Sequence, residues 1–337
     1  MSASRTIATL AARAGVPAVA RRLRRRGRAL ILMYHRISDE PDYLGMCVPP
    51  ALFDAHLGRL RQRAAIWPLA ALAERLADPR PLERDLAAVT FDDGYRDNLD
   101  LALPILARHG APATLFLTTG FVDRTARPFG DRLLNACRAL WARGAGADAW
   151  SRGRATVDGL VRAALARPGD LGALRAVDAE CKRLPASTSE ALVAALEELA
   201  GGAPGGVALL DWDGVRALAR GGVEIAAHTV THALLSRVPL ARANDELRIA
   251  RARIEAEVGA PVRGFAYPNG HAADFGAEHV ELLARGGYRY ACTAERGGNA
   301  PGADPFRLRR IGVGADAPAL LDLKLALAGH GRPACAA

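Results

Sequence analysis

Two carboxylates, Asp92 and Asp93, stand side by side in the stretch Ala88-Val89-Thr90-Phe91-Asp92-Asp93-Gly94-Tyr95. Adjacent carboxylates repel, so keeping both ionised costs energy unless a cation or a proton divides their roles. The pair is therefore a candidate for metal binding or acid–base work; a solvated Asp-Asp-Gly turn is the alternative. Much later in the chain, His228-Thr229-Val230-Thr231-His232 sets two imidazoles four residues apart. If the chain turns helically there, both lie on one face and reach one cation. Two His and one carboxylate leave a divalent cation open positions for water and substrate. His35 ends an apolar run, and is either a core histidine with satisfied hydrogen bonds or a group facing the same site as Asp92.

For these residues to meet, the elements before them must end at one place. Residues 86–89 are apolar and read as a short buried strand that delivers the Asp pair, after which Gly94 can turn the backbone. In α/β sheets chemistry gathers at the carboxyl ends of strands. Residues 29–34 deliver His35 in the same way, 223–227 deliver His228, and 262–266 deliver Tyr267-Pro268-Asn269-Gly270. Further strands are expected at 113–118, 288–293 and 306–313, giving about seven in alternation with helices. Among those helices, 98–108 contains Pro104, which predicts a late start or a kink. Strand, helix and strand within about 30 residues form a βαβ unit and imply a parallel sheet. The rhythm breaks over residues 123–208, where helical stretches rich in Ala, Leu and Arg carry no clustered His, Cys or carboxylates. That segment reads as a helical insertion in a barrel domain spanning 29–330.

Composition narrows the function classes. The chain has 337 residues, 50% of them hydrophobic, which suffices for a packed core. A net charge of +9 raises the question of nucleic acid, yet all but two of the 45 basic residues are Arg, a general bias. No recognition motif accompanies the charge, so no nucleic-acid role is expected. The five cysteines are scattered, with no Cys-x-x-Cys pair, which argues against a zinc ribbon or a disulfide framework and for a reducing, cytoplasmic setting. No apolar run is long enough to span a bilayer. Residues 1–28 hold a basic amphipathic helix ending in Arg21-Arg22-Leu23-Arg24-Arg25-Arg26, with its charge after the apolar part rather than before it as in a secretory signal. It either packs on the domain or makes peripheral contact with the anionic inner face of a membrane.

Together these residues resemble the polysaccharide deacetylase family, the NodB-type carbohydrate esterases. Its first motif is similar to Thr90-Phe91-Asp92-Asp93-Gly94, its second to His228–His232, and its third to Phe265-Ala266-Tyr267-Pro268-Asn269-Gly270. The leading Leu32-Met33-Tyr34-His35-Arg36-Ile37 resembles one branch. The resemblance covers about residues 29–122 and 209–315. It implies an α/β fold, a distorted (β/α)7 barrel, in agreement with the strand count. It implies that Asp93, His228 and His232 bind a divalent metal, usually zinc and sometimes cobalt or nickel, with Asp92 as general base. The implied reaction is hydrolysis of the acetamido group of an N-acetylated, GlcNAc-type glycan such as a chitooligosaccharide. Three departures stand out. Ala266 occupies the place of the family's base-orienting Arg, Leu308-Arg309-Arg310 that of a late Leu-x-His whose His is the general acid, and no Asp-x-x-Asp-Trp follows Tyr288. His35 and His271 become candidate proton donors. Substrate contacts are expected from His35, Tyr95, Tyr267, Asn269 and His271, with Tyr95 and Trp212 placed to stack on a sugar ring. A backbone N–H near 267–269 is expected to stabilise the tetrahedral intermediate. Two alternatives stay open: a catalytically impaired glycan-binding homologue, and a deacetylase of a carrier-linked N-acetyl sugar.

Overall fold

Ten strands form among the residues described by the computed structural model, which are 27–40, 44–150, 155–202 and 205–329. The basic helix expected over 1–28 lies outside them except at its last two positions. The strands are β1 Ala29–Tyr34, β2 Arg36–Ile37, β3 Cys47–Val48, β4 Ala65–Ile66, β5 Leu86–Asp93, β6 Ala113–Leu117, β7 Val223–Ala227, β8 Gly264–Ala266, β9 Tyr290–Arg296 and β10 Leu308–Gly312. Seven of them close a parallel barrel in the order β1-β5-β6-β7-β8-β9-β10 and back to β1. The fold is thus α/β, a closed seven-stranded barrel surrounded by helices. β4 pairs only with the first two residues of β5, beside the stretch that pairs with β6. β2 and β3 form a separate small ladder.

Strand alternation explains the apolar runs. Ile31, Ala88, Phe116, Ala226, Cys292 and Leu308 gather in one cluster inside the barrel. Leu32, Val89, Leu115, Ile225, Phe265 and Ile311, one residue out of phase, pack in a second cluster under the surrounding helices. Both faces are buried, so β5 is buried at all eight positions and reads as a continuous run rather than as an alternation. Helix Leu69–Ala77 adds Leu69, Leu72 and Leu76 to the inner cluster, covering the end where the strands begin. At the same end the half-buried Glu224 accepts bonds from Tyr290 Oη (2.9 Å) and Thr114 Oγ1 (3.0 Å). The opposite end, where the strands finish, is left for loops.

The expected helix at 98–108 divides in two. A wide turn with i→i+5 bonding over Asn98–Ala102 runs into helix Leu103–His109, where Pro104 falls in the first turn; the widened turn stands just where a residue without an N–H enters the helical path. Gly110, at φ +55°, stops the helix. The described residues of 124–208, with 44 and 45, make a second compact unit. Its helices Phe129–Ala142, Ala155–Leu165, Leu171–Cys181 and Ala186–Leu199 share their own core around Leu133, Leu140, Val161, Leu174 and Val193. No described helix is long and apolar enough to cross a membrane.

Candidate active site

Register sets the level of each functional group on the rim. Asp93 pairs with Leu117 and Leu117 with Ala227, so Asp93 and His228 leave the barrel at nearly one height. Tyr34 pairs with Phe91, which places His35 beside Asp92. Asp92 continues the inward phase of Leu86, Ala88 and Thr90. Asp93 would point outward in a regular strand, but its φ of +79° turns it over the rim, and Gly94 follows at φ +106°. That φ favours glycine, and a Cβ at Gly94 would also lie 2.6 Å from Leu117 Cδ1, so that side chain would have to shift. Five non-glycine residues among those described have left-handed φ values, and four of them, Asp93, Thr229, His232 and Asn269, are at these strand ends. Such strain concentrates where the surrounding structure holds a functional geometry.

The segment 228–232 is not a helix, contrary to the geometry expected from the spacing. Instead, left-handed turns at Thr229 (φ +67°) and His232 (φ +61°) fold the second imidazole back beside the first. The rings lie 4.9 Å apart at 75°. Asp93 Oδ1 is 3.7 Å from His228 Nε2 and 3.4 Å from His232 Nε2. It is buried and has no hydrogen-bond partner. His228 Nδ1 lies 2.7 Å from the Ala266 carbonyl oxygen, which can only accept; Nδ1 therefore carries the proton and Nε2 turns its lone pair toward Asp93. Burial lowers the His228 pKa to about 4, so the ring is neutral at ordinary pH. A lone pair facing a carboxylate oxygen is unfavourable unless something positive sits between them. The three donor atoms come close enough together to hold a metal ion. The orphaned Asp93 oxygen and the fixed His228 tautomer both fit that use.

Asp92 has a different environment. Arg310, buried on β10, donates Nη1 to Asp92 Oδ1 at 2.7 Å and Nε to the Thr293 carbonyl at 2.9 Å. Its guanidinium carbon lies 5.5 Å from the centre of the Phe116 ring. Burial pushes the Asp92 pKa up, but Arg310, with His228 and His35, outweighs it and holds the carboxyl at about 2. Burial raises the Asp93 pKa instead. The two neighbouring carboxylates therefore differ in chemistry. His35 Nε2 lies 4.0 Å from the other oxygen, Asp92 Oδ2, and its ring is partly exposed. Asn98 Nδ2 donates to the His35 carbonyl (2.9 Å), and Asp97 holds Arg36 and the Ile37 N–H, so the wide turn fixes this strand end.

Other expected contacts fall elsewhere. Tyr95 is 1% exposed, with Arg36 over its ring, and offers no face to a sugar. Tyr267, also 1% exposed, stacks on Phe275 at 3.8 Å and donates its hydroxyl to the Phe306 carbonyl. Its backbone N–H is bonded to the Cys292 carbonyl (3.1 Å) and is not free for an oxyanion. Trp212 donates Nε1 to Asp123 and carries Arg253 on its ring. His271 is largely exposed, 3.8 Å from Glu295. Asn269 turns its side chain to Asp274 Oδ2 (2.7 Å).

Residues 80–291 match the family model described as polysaccharide deacetylase. The chain belongs to the polysaccharide deacetylase family. Over 89 residues it is 37% identical to a Bacillus subtilis (strain 168) protein named "Putative polysaccharide deacetylase YxkH"; the match covers 26% of this chain and 30% of that one. It thus spans less than a third of that relative's length. Among solved structures it resembles the Streptococcus pyogenes deacetylase PplD in complex with acetate (TM-score 0.58, 17% identity, 89% of this chain and 98% of that one). It also resembles IcaB from Ammonifex degensii (TM-score 0.58, 18% identity, 89% and 97%). At such identities the likeness is one of fold. Within this chain, Arg310 is the residue that the motifs did not reveal. It stands on β10, in the inward phase of Leu308, and reaches Asp92 past the intervening β1.

Proposed function

We propose that this chain is a metal-dependent N-deacetylase that hydrolyses the acetamido group of a GlcNAc-type glycan to a free amine and acetate. The observation that carries the reading is the pairing of an unpartnered, buried Asp93 oxygen between two imidazoles with an anionic Asp92 held by Arg310. Asp93, His228 and His232 offer two nitrogens and one oxygen, a donor set suited to zinc, with cobalt or nickel as substitutes. A divalent cation bound there would polarise the acetyl carbonyl and lower the pKa of a water molecule.

Asp92 is the base that takes the proton of the attacking water. Its low pKa keeps it ionised, and a weak base suffices where the water has been made more acidic. The carbonyl oxygen gains negative charge as water adds. Pro268 has no N–H, and those of Tyr267 and Gly270 are engaged within the chain, which leaves the Asn269 N–H as the donor of that loop. When the C–N bond breaks, the leaving nitrogen needs a proton, and His35, beside Asp92, is the group placed to give it. Arg310 removes one ground for the impaired-homologue reading, the missing arginine.

The test is acetate release from N-acetylated chitooligosaccharides by the full chain with added zinc, and after chelation. Release should occur with zinc, stop with chelator and return on readdition. Asp92→Asn should keep zinc and lose turnover, while His228→Ala should lose both. Undiminished turnover in either variant counts against the assignment.

A further inference from the structure

The turn that brings His232 beside His228 is costly. Thr229 is β-branched, a type that rarely adopts a φ of +67°, and His232 sits at +61°. His228 is anchored by its own strand end, through its N–H to the Leu117 carbonyl (2.9 Å) and its ring to the Ala266 carbonyl (2.7 Å). The backbone path to His232 runs through residues 229–231.

One side chain collects that path. Glu246, on helix Leu240–Val258, is 5% exposed. Its Oε2 accepts from the Val230 N–H (2.9 Å) and the Thr231 N–H (2.8 Å), and its Oε1 from Thr231 Oγ1 (2.7 Å). Its contact with a cation, Arg242, is long at 3.5 Å, so the carboxylate is satisfied mainly by the loop. From the other side, the Thr119 N–H donates to the Thr229 carbonyl (3.2 Å) and the Gly120 N–H to the Val230 carbonyl (2.8 Å). Hydrogen bonds to a buried carboxylate are strong and directional. Three of them on two consecutive residues fix the loop at the one stretch whose shape places the second imidazole.

We propose that Glu246 is a positioning residue for the metal site: it holds the strained 229–231 turn and thereby sets His232 over Asp93. This rests on the reading of Asp93, His228 and His232 as metal ligands. The experiment measures zinc affinity of the full chain by competition with a chromophoric chelator, with far-UV circular dichroism as the check on folding. Glu246→Ala should weaken zinc binding by about 10- to 100-fold, as loss of a group supporting a ligand does. Glu246→Gln, which keeps one acceptor oxygen, should lose less, and Thr231→Val, which removes only the hydroxyl bond, least. Ile254→Val, a buried truncation on the same helix, should leave the affinity unchanged. If Glu246→Ala does not fold, the ranking of Glu246→Gln below the unsubstituted chain and Thr231→Val carries the test. Wild-type affinity in both Glu246 variants overturns the proposal and leaves the metal reading standing. Equal loss in Ile254→Val overturns it as a mere stability effect. Failure of the unsubstituted chain to bind zinc overturns both.

Discussion

Asp92 and Arg310 are each buried and each charged, and neither tolerates loss of the other. Removing one partner of such a pair leaves an uncompensated charge, at a cost of about 3–5 kcal/mol. In Arg310→Met the carboxyl at position 92 keeps its burial and loses the strongest of the groups that oppose it, so its pKa rises. A base must be deprotonated to act; the acid limb of the pH–kcat/KM profile should therefore move to higher pH, with zinc content unchanged. An acid limb that stays in place would show that Arg310 does not tune the proposed base, Asp92. Neither Arg310 nor its role was readable from motifs, since the family's arginine is sought next to Tyr267. The signal that did exist is parity: Arg310 shares the inward phase of Leu308, and an inward arginine at a strand end needs a buried anion. Tyr95 is the converse case. An aromatic beside a carboxylate pair invites a sugar, yet here its ring packs under Arg36.

At the scale of the element, each strand works by how it ends. β5 reaches the rim buried at every position, then turns at Asp93 and Gly94 through left-handed backbone. Gly94→Ala meets both a φ of +106° and the Leu117 side chain at 2.6 Å. It should lower stability by about 1–3 kcal/mol. It should also weaken zinc binding at the proposed site, because relief of the strained φ next to Asp93 moves that carboxylate. Thermal melting and chelator competition on one preparation read both effects, and wild-type melting of the Gly94→Ala chain would refute the steric account. The strand runs and their order were legible, because a strand buried on both faces is apolar throughout. The helical geometry expected for 228–232 did not form. Four-residue spacing fits a helix, but two left-handed turns bring the same side chains together, and the β-branched Thr229 is not a residue type that announces such a turn.

For the molecule as a whole, the burial of His228 couples folding to pH. His228 is neutral when folded, with its pKa lowered by burial to about 4, and near 6.5 when unfolded. As pH falls below 6.5 the unfolded chain takes the proton first, so His228 makes stability decline down to about pH 4. His56, also lowered by burial, acts in the same direction. Asp92 acts in a separate window: its contribution is present above its unfolded pKa and is lost as pH falls through about 2. Asp93, Asp97 and Glu224, with pKa values raised by burial, act in the opposite direction, so the His228 part is read as a difference: between pH 6.5 and 4 the melting midpoint of a His228→Gln chain should lose less than that of the unsubstituted chain. Equal slopes would place the pH dependence elsewhere. Saturating zinc, by binding only the folded state, should raise the midpoint at about pH 7.

The chain's own text determined the alternating strands and helices, the Asp92–Asp93 pair and the two histidines, because these are local: periodicity, a carboxylate dyad and a four-residue spacing survive without knowledge of neighbours. What the tertiary structure decided is non-local. Which aspartate lacks a partner, which ring nitrogen faces it, and which distant arginine and glutamate serve the site all depend on barrel closure. β10 must meet β1 before Arg310 can reach Asp92, 218 positions away, and helix Leu240–Val258 must pack before Glu246 can gather the turn that carries His232. Short-range pattern cannot encode such meetings, since the residues that make them are ordinary by type and are given their roles only by the three-dimensional path of the chain.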